Sequence, residues 1–255
     1  MHFRHSFPVV LVSLLLNVAT VSVASEGAEE ARLHSAVRPE CRRGGHLKRF
    51  HETNELLARG NVDLLFIGDS ITAGWSSRGA ETWEKYYARR NAVNLGRSGE
   101  RTQHVLWQLE NLNVDRIEPK LAVVLIGTNN VTRNTPDETI EGITLVVERL
   151  RHKLPKTTIL LLGIFPRGAD NDDPGRQAVE EINLAIARLG DGKKKIIYKD
   201  LRNLFVDADG KPTPRLRSDH VHITPDGYRA WAEAIEPIVV GAGLGIRGEG
   251  LGARD

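Results

Sequence analysis

Val62-Asp63-Leu64-Leu65-Phe66-Ile67-Gly68-Asp69-Ser70-Ile71-Thr72-Ala73-Gly74-Trp75 is the stretch that decides the fold. An apolar run broken only by Asp63 stops at a glycine. An acid and a serine follow, and then a helix-like segment. This pattern predicts a strand feeding a tight turn into a helix. A serine so placed lies at the carboxyl edge of a sheet, where open α/β sheets bind ligands. Backbone N–H groups and the positive end of a helix favour negative charge there. Ser70 is therefore a candidate nucleophile, with helix capping as the competing role for the same residue.

The apolar runs after this stretch alternate with helical patterns. Ala92 to Gly96 predicts a short second strand, and Leu121-Ala122-Val123-Val124-Leu125-Ile126 a third, apolar enough to be covered on both faces. Thr157 to Ile164 and Ile196-Ile197-Tyr198 predict the fourth and fifth. Helices are expected over His46–Ala58, Glu81–Arg90, Thr102–Leu112, Pro136–His152, Pro174–Leu189 and Pro225 to about Val240, with Pro237 kinking or ending the last one early. Alternation of this kind predicts an α/β protein with a doubly wound, five-stranded parallel sheet.

The chain has 255 residues, 40% hydrophobic and 27% charged, which suits one globular domain. A net charge of +2 and 5% aromatic residues argue against a nucleic-acid partner. Residues 1–24 read as a signal peptide. Arg4 gives a weakly basic start, Phe7 to Val23 is mostly apolar, and Ser22-Val23-Ala24 offers small residues for cleavage after Ala24. The competing reading is an uncleaved anchor, because the run nears the roughly 17 residues needed to span a bilayer. With cleavage the protein is exported, periplasmic or secreted, and has no stable membrane span. Residues 25–45 are polar and irregular and are expected to form a flexible leader. The domain is expected over 46–240, and 241–255 as a glycine-rich flexible tail. Cys41 is the single cysteine, so no intramolecular disulfide and no cysteine-rich zinc site is expected.

In a parallel sheet every strand ends at the same edge, so strand-end residues converge. Gly99 follows the second strand, Asn129 the third, and Asp219 and His222 the fifth. Acyl transfer by serine needs a hydroxyl, a base, an acid that orients the base, and donors for the oxyanion. Ser70, His222 and Asp219 supply the first three. The N–H groups of Ser70 and Gly99 and the amide of Asn129 supply the donors. The competing readings are a turn role for Asn129 and a metal site at Asp219, His220 and His222. His104 and the tryptophans Trp75, Trp83 and Trp107 are expected to pack. Arg167, in the loop after the fourth strand, is a candidate to face the substrate.

Four ordered blocks carry a resemblance: Gly68-Asp69-Ser70, Gly96 to Gly99, Gly127-Thr128-Asn129-Asn130, and Asp219-His220-Val221-His222. Over about residues 46 to 240 the chain resembles the SGNH (GDSL) hydrolases. The letters of that name fall on Ser70, Gly99, Asn129 and His222. The resemblance implies a flavodoxin-like three-layer α/β/α fold and a cofactor-free serine esterase acting on a small-molecule ester. Asn94-Leu95-Gly96, His104 to Leu109 and Phe165-Pro166-Arg167-Gly168 add a similarity to the catalytic subunits of platelet-activating factor acetylhydrolase within that family. It implies a short acyl group such as acetate on a phospholipid, while an export signal suits the sugar-deacetylating esterases of the family. A non-catalytic carbohydrate- or lipid-binding domain and an acyltransferase are the alternatives on the same fold. The oligomeric state, a homodimer included, is left open.

Overall fold

The computed structural model describes residues 33–190, 192 and 195–245. The expected signal peptide, the leader up to residue 32 and the tail from residue 246 lie outside the described residues. Five parallel strands form one sheet: β1 (Leu64–Gly68), β2 (Ala92–Asn94), β3 (Leu121–Leu125), β4 (Thr158–Leu162) and β5 (Ile196–Lys199). Their spatial order is β2-β1-β3-β4-β5. Chain order reverses at β1, and β1 and β3 pair from Leu64 opposite Leu121 to Gly68 opposite Leu125. The crevice outside the ends of β1 and β3 is therefore the switch point at which such sheets take ligands.

The sheet is covered on both faces because alternate residues of each strand point opposite ways. Leu65, Ile67, Ala122, Val124, Ile159 and Leu161 face one apolar cluster. That side is closed by α1 (Gly45–Ala58), α4 (Thr102–Asn111), α5 (Pro136–Lys153) and α6 (Pro174–Ile186). Leu64, Phe66, Leu121, Val123, Leu125, Leu160 and Leu162 face the other cluster. Its cover is the turn α2 (Ser70–Ala73) with the 3₁₀ turn Gly74–Ser76 that continues it, and α7 (Pro225–Val239); Trp83 of α3 (Ala80–Tyr86) packs against its edge. The result is the three-layer α/β/α architecture.

Three helices start by one device, a side-chain acceptor followed by proline. Thr135, Asp173 and Thr224 accept from the N–H groups of Glu138, Arg176 and Gly227, and Pro136, Pro174 and Pro225 follow them. Elsewhere the boundaries differ from expectation. The helix expected over Glu81–Arg90 is α3 plus a 3₁₀ turn over Ala88–Arg90, closed by Asn91 at φ 45°. Pro237 does not end the last helix, which runs to Val239 before a wide turn over Val240–Leu244. Burial of Trp231, Ile235 and Val239 on that helix outweighs the one backbone bond that a proline removes.

The lead-in departs most from expectation. Ala36 and Val37 are buried. Thr102 Oγ1 donates to the Ala36 carbonyl at 2.6 Å, and the Glu40 N–H donates to the Gln103 carbonyl at 3.1 Å. Where a flexible leader was expected, Ala36 and Glu40 are thus bonded to α4, and Gly142 of α5 leaves room for the Ala36 carbonyl.

Candidate active site

Ser70 sits on α2, a single turn pinned from three sides. Asp69 caps it, its Oδ1 accepting from the Ile71 N–H at 2.9 Å. Tyr228 of α7 donates its hydroxyl to the Ile71 carbonyl at 2.6 Å. Trp75, fully buried, lies 4.7 Å from the Tyr228 ring and 4.9 Å from Trp231, centroid to centroid. The helix expected beneath Ser70 is therefore short. A four-residue turn has little macrodipole, and its Ile71 N–H is already taken by Asp69, so what it can offer at the site is the Ser70 N–H.

Asp219 and His222 come from the turn between Leu216 and Ile223, which form an isolated antiparallel bridge. The Arg217 N–H donates to the His222 carbonyl at 2.9 Å, and His220 takes φ 51° to let the chain reverse. Thr224 and Pro225 then start α7. The turn projects His222 toward α2, with Ser70 Oγ 2.9 Å from His222 Nε2. On the far side of the ring, His222 Nδ1 is 3.1 Å from Asp219 Oδ2. The other oxygen of Asp219 accepts from the N–H groups of Val221 and His222 at 3.1 and 2.9 Å. Partial burial works to raise the Asp219 pKa. The two backbone bonds and the imidazole outweigh it and hold the group down at about 2. An ionised Asp219 accepts a hydrogen bond from Nδ1–H and so keeps the ring proton on Nδ1, which leaves Nε2 to accept from the Ser70 hydroxyl.

Gly99 and Asn129 reach the same edge by backbone routes. Beyond the last residue of β2, the Leu95 N–H donates to the Phe66 carbonyl and the Arg97 N–H to the Gly68 carbonyl, at 2.8 and 3.1 Å. The chain thus follows β1 to its end before turning. Gly96 packs so closely on α2 that a Cβ there would lie 2.5 Å from the Ala73 nitrogen. Gly99 takes φ 74°, and the turn is closed by the Glu100 N–H on the Arg97 carbonyl at 3.3 Å. Asn129 donates one Nδ2 hydrogen to the Glu100 carbonyl at 2.8 Å, which orients the amide and leaves its second hydrogen for another acceptor. Gly99 and Asn129 both line a cavity of about 830 Å³.

A buried polar cluster under the site was not legible in the sequence. Glu100, accepting from Gln108 Nε2, is pushed up to about 7 by burial, against the pull of Arg97 and Arg42. Asp69 is likewise pushed up to about 7 by burial. Arg97, itself buried, lies over the Phe50 ring at 5.7 Å. Only Gly68-Asp69 and the Gly99-Glu100 pair hint at these groups, and neither spacing says that they meet. Arg176 was also missed. Buried on α6, it donates to the carbonyls of Arg167, Gly168 and Gly210 at 2.6 to 2.7 Å and so fixes the loop after β4. Arg167 donates to the Thr128 carbonyl at 2.7 Å, and with Asp219 and His220 it lines a second cavity of about 510 Å³.

The remaining candidates have local roles. His104 Nδ1 accepts from the Arg101 N–H at 3.0 Å. Trp75 is core, Trp83 packs at its edge, and Trp107 lies 4.7 Å from Phe50. Among the described residues no group of three His, Cys, Asp or Glu side chains is placed to hold a metal ion. None of the helices among the described residues is long and apolar enough to cross a membrane.

Residues 66–230 match the GDSL-like lipase/acylhydrolase family. Platelet-activating factor acetylhydrolase IB subunit alpha2 of Rattus norvegicus is 31% identical over 178 residues, 70% of this chain and 76% of that protein. Subunit alpha1 of Homo sapiens is 30% identical over 178 residues, covering 70% and 75%. Among solved structures, a GDSL-like lipase from Bacteroides thetaiotaomicron superposes with a TM-score of 0.63 at 21% identity, covering 78% of this chain and 98% of that one. An acetylxylan esterase from Geobacillus stearothermophilus gives 0.57 at 20% identity, covering 73% and 96%. The chain belongs to the GDSL-like lipase/acylhydrolase family and is a carboxylic ester hydrolase.

Proposed function

We propose that the protein is an exported serine esterase that removes a short acyl group, acetate in the first instance, through Ser70, His222 and Asp219. The observation that carries the reading is the hydrogen-bonded row from Ser70 Oγ through the His222 ring to Asp219, at 2.9 and 3.1 Å. Ser70 Oγ bonds to the ester carbonyl carbon while its proton passes to His222 Nε2. The carbonyl oxygen becomes an oxyanion, received by the N–H groups of Ser70 and Gly99 and the free Nδ2 hydrogen of Asn129. His222 returns the proton to the leaving alcohol as its bond to carbon breaks. Water, deprotonated by the same imidazole, then releases the acid from Ser70. Asp219 stays ionised throughout and holds the ring.

The acetyl preference draws on the acetylhydrolase subunits and the acetylxylan esterase to which the chain is similar. Their names point to a phospholipid and to a carbohydrate respectively. An exported protein, as Met1 to Ala24 suggests, meets acetylated carbohydrate more readily. Ser70→Ala is expected to abolish hydrolysis of p-nitrophenyl acetate while the circular dichroism spectrum stays that of the parent. Undiminished turnover in that variant would remove Ser70 from the chemistry.

A further inference from the structure

The cavity beside Gly99 and Asn129 carries a charge that the proposed esterase does not need for acyl transfer. Arg42, Arg43, Arg101 and Arg133 line it, and Glu40 is the single carboxylate among its lining residues. Glu40 pairs with Arg101 at 3.9 Å. Arg42 donates to the Ser98 carbonyl at 2.6 Å, a contact that orients its guanidinium without neutralising it. That guanidinium borders Gly99 directly, since a Cβ on Gly99 would lie 3.1 Å from Arg42 Nη1. Arg43 and Arg133 are exposed and have no ion-pair partner among the described residues. The histidines on the same wall feel this field. His46 is lowered by burial and then by Arg42, Arg97 and Arg49, and His104 is brought down to about 4 by burial and then by Arg101. Both are neutral at pH 7 and leave the cationic charge to the arginines.

The net charge of the whole chain is only +2, so this excess is local. It sits in a concavity, which focuses the field on a small ligand. Its lining residues include no Phe, Tyr or Trp for a neutral sugar ring to stack on and no Val, Leu, Ile or Met for a long acyl chain. A planar guanidinium fork matches carboxylate and phosphate oxygens.

We infer that this cavity is an anion subsite, and that the ester cleaved at Ser70 carries a carboxylate or phosphate on the portion lying beside Gly99. The inference rests on Ser70 being the nucleophile. The lead-in, Glu40 to Arg43, is then part of the substrate site and not a tether.

The test compares kcat/KM for three acetyl esters of one sugar frame: acetylated glucose, acetylated glucuronic acid and acetylated glucose 6-phosphate. The parent enzyme is expected to prefer one or both charged esters by about tenfold or more at low salt, and the preference should shrink in 0.5 M NaCl. Which charged ester leads tells a carboxylate source from a phosphate source. Arg43→Gln with Arg133→Gln, both at exposed positions, should bring the charged-to-neutral ratio down by about tenfold or more. Arg89→Gln, an exposed arginine outside the cavity, should keep the parent ratio. Equal kcat/KM for all three esters, or a ratio that ignores the double substitution, would overturn the subsite. A second readout separates this failure from failure of the nucleophile. Ser70→Ala is titrated calorimetrically with glucuronate, glucose 6-phosphate and glucose. Binding of a charged ligand alone, lost on adding Arg43→Gln and Arg133→Gln, supports the subsite even if no ester is turned over; no preference for either charged ligand sinks it.

Discussion

Asp219 has both carboxylate oxygens committed, one to two backbone N–H groups and the other to His222 Nδ1, with Arg217 3.3 Å from the same oxygen. Asp219→Asn keeps the shape but presents an amide to Nδ1 and disturbs the tautomer. We expect a fall in kcat on the order of 10³–10⁴ with little change in KM, read from steady-state kinetics on p-nitrophenyl acetate. Asp69 makes a different prediction. Its folded pKa, near 7, lies above its ordinary value of 3.8, so folding holds a proton that the unfolded chain has released. The contribution is fully present below about pH 4 and is lost as pH rises toward 7. Asp69→Asn retains the cap on Ile71 and has no proton to lose. Its stability relative to the parent, from urea midpoints, should therefore improve between pH 4 and pH 7; a constant difference would contradict the burial argument. Ser70, Asp219 and His222 were legible in sequence because each follows a strand or lies in a short ordered block. Arg42 and Arg97 were not, because their partners Ser98 and Phe50 are joined to them only by tertiary packing.

At the scale of elements, the site depends on the fit of α2 against the loop after β2. Gly96→Ala would press a methyl against the backbone of Thr72 and Ala73, at 2.7 and 2.5 Å. A cost of about 1–3 kcal/mol is expected, with a loss of kcat because Ser70 moves with its turn. Urea denaturation and p-nitrophenyl acetate kinetics read the two effects. The loop after β4 depends on Arg176. Arg176→Ala strands three carbonyls and should cost about 3 kcal/mol or more, and Arg176→Lys should rescue little because a single ammonium cannot reach all three. Strands and their order of use were readable from apolar runs, β3 most clearly, as all five of its residues are buried. Helix ends were less so. Pro237 signals a stop by local rules, but it stands on the exposed side of the helix, and the buried face of Trp231, Ile235 and Val239 holds the helix together. The shortness of α2 was also hidden, because Ile71 and Trp75 read equally well as one longer amphipathic helix.

Over the whole molecule, two apolar clusters on opposite faces of one sheet hold the strand ends in register, and the lead-in closes one side of the site. Composition alone suggested a loose leader, for Pro39 to Gly45 is polar and without period. The contacts that order it, Ala36 on Thr102 and Glu40 on Gln103, span more than sixty residues of sequence. A chain begun at Gly45 should lose about 2 kcal/mol relative to one begun at Ser35, from loss of the buried Ala36 and Val37 and exposure of the surface they cover, measured by urea unfolding. The central claim remains that Ser70 is the nucleophile of an esterase. It is tested most directly by treating the protein with a fluorophosphonate and locating the adduct by peptide mass spectrometry. One adduct per chain on the Ser70 peptide, with p-nitrophenyl acetate hydrolysis lost in proportion, is the predicted result; hydrolysis that survives full treatment, or an adduct on another residue that tracks the loss, would contradict it.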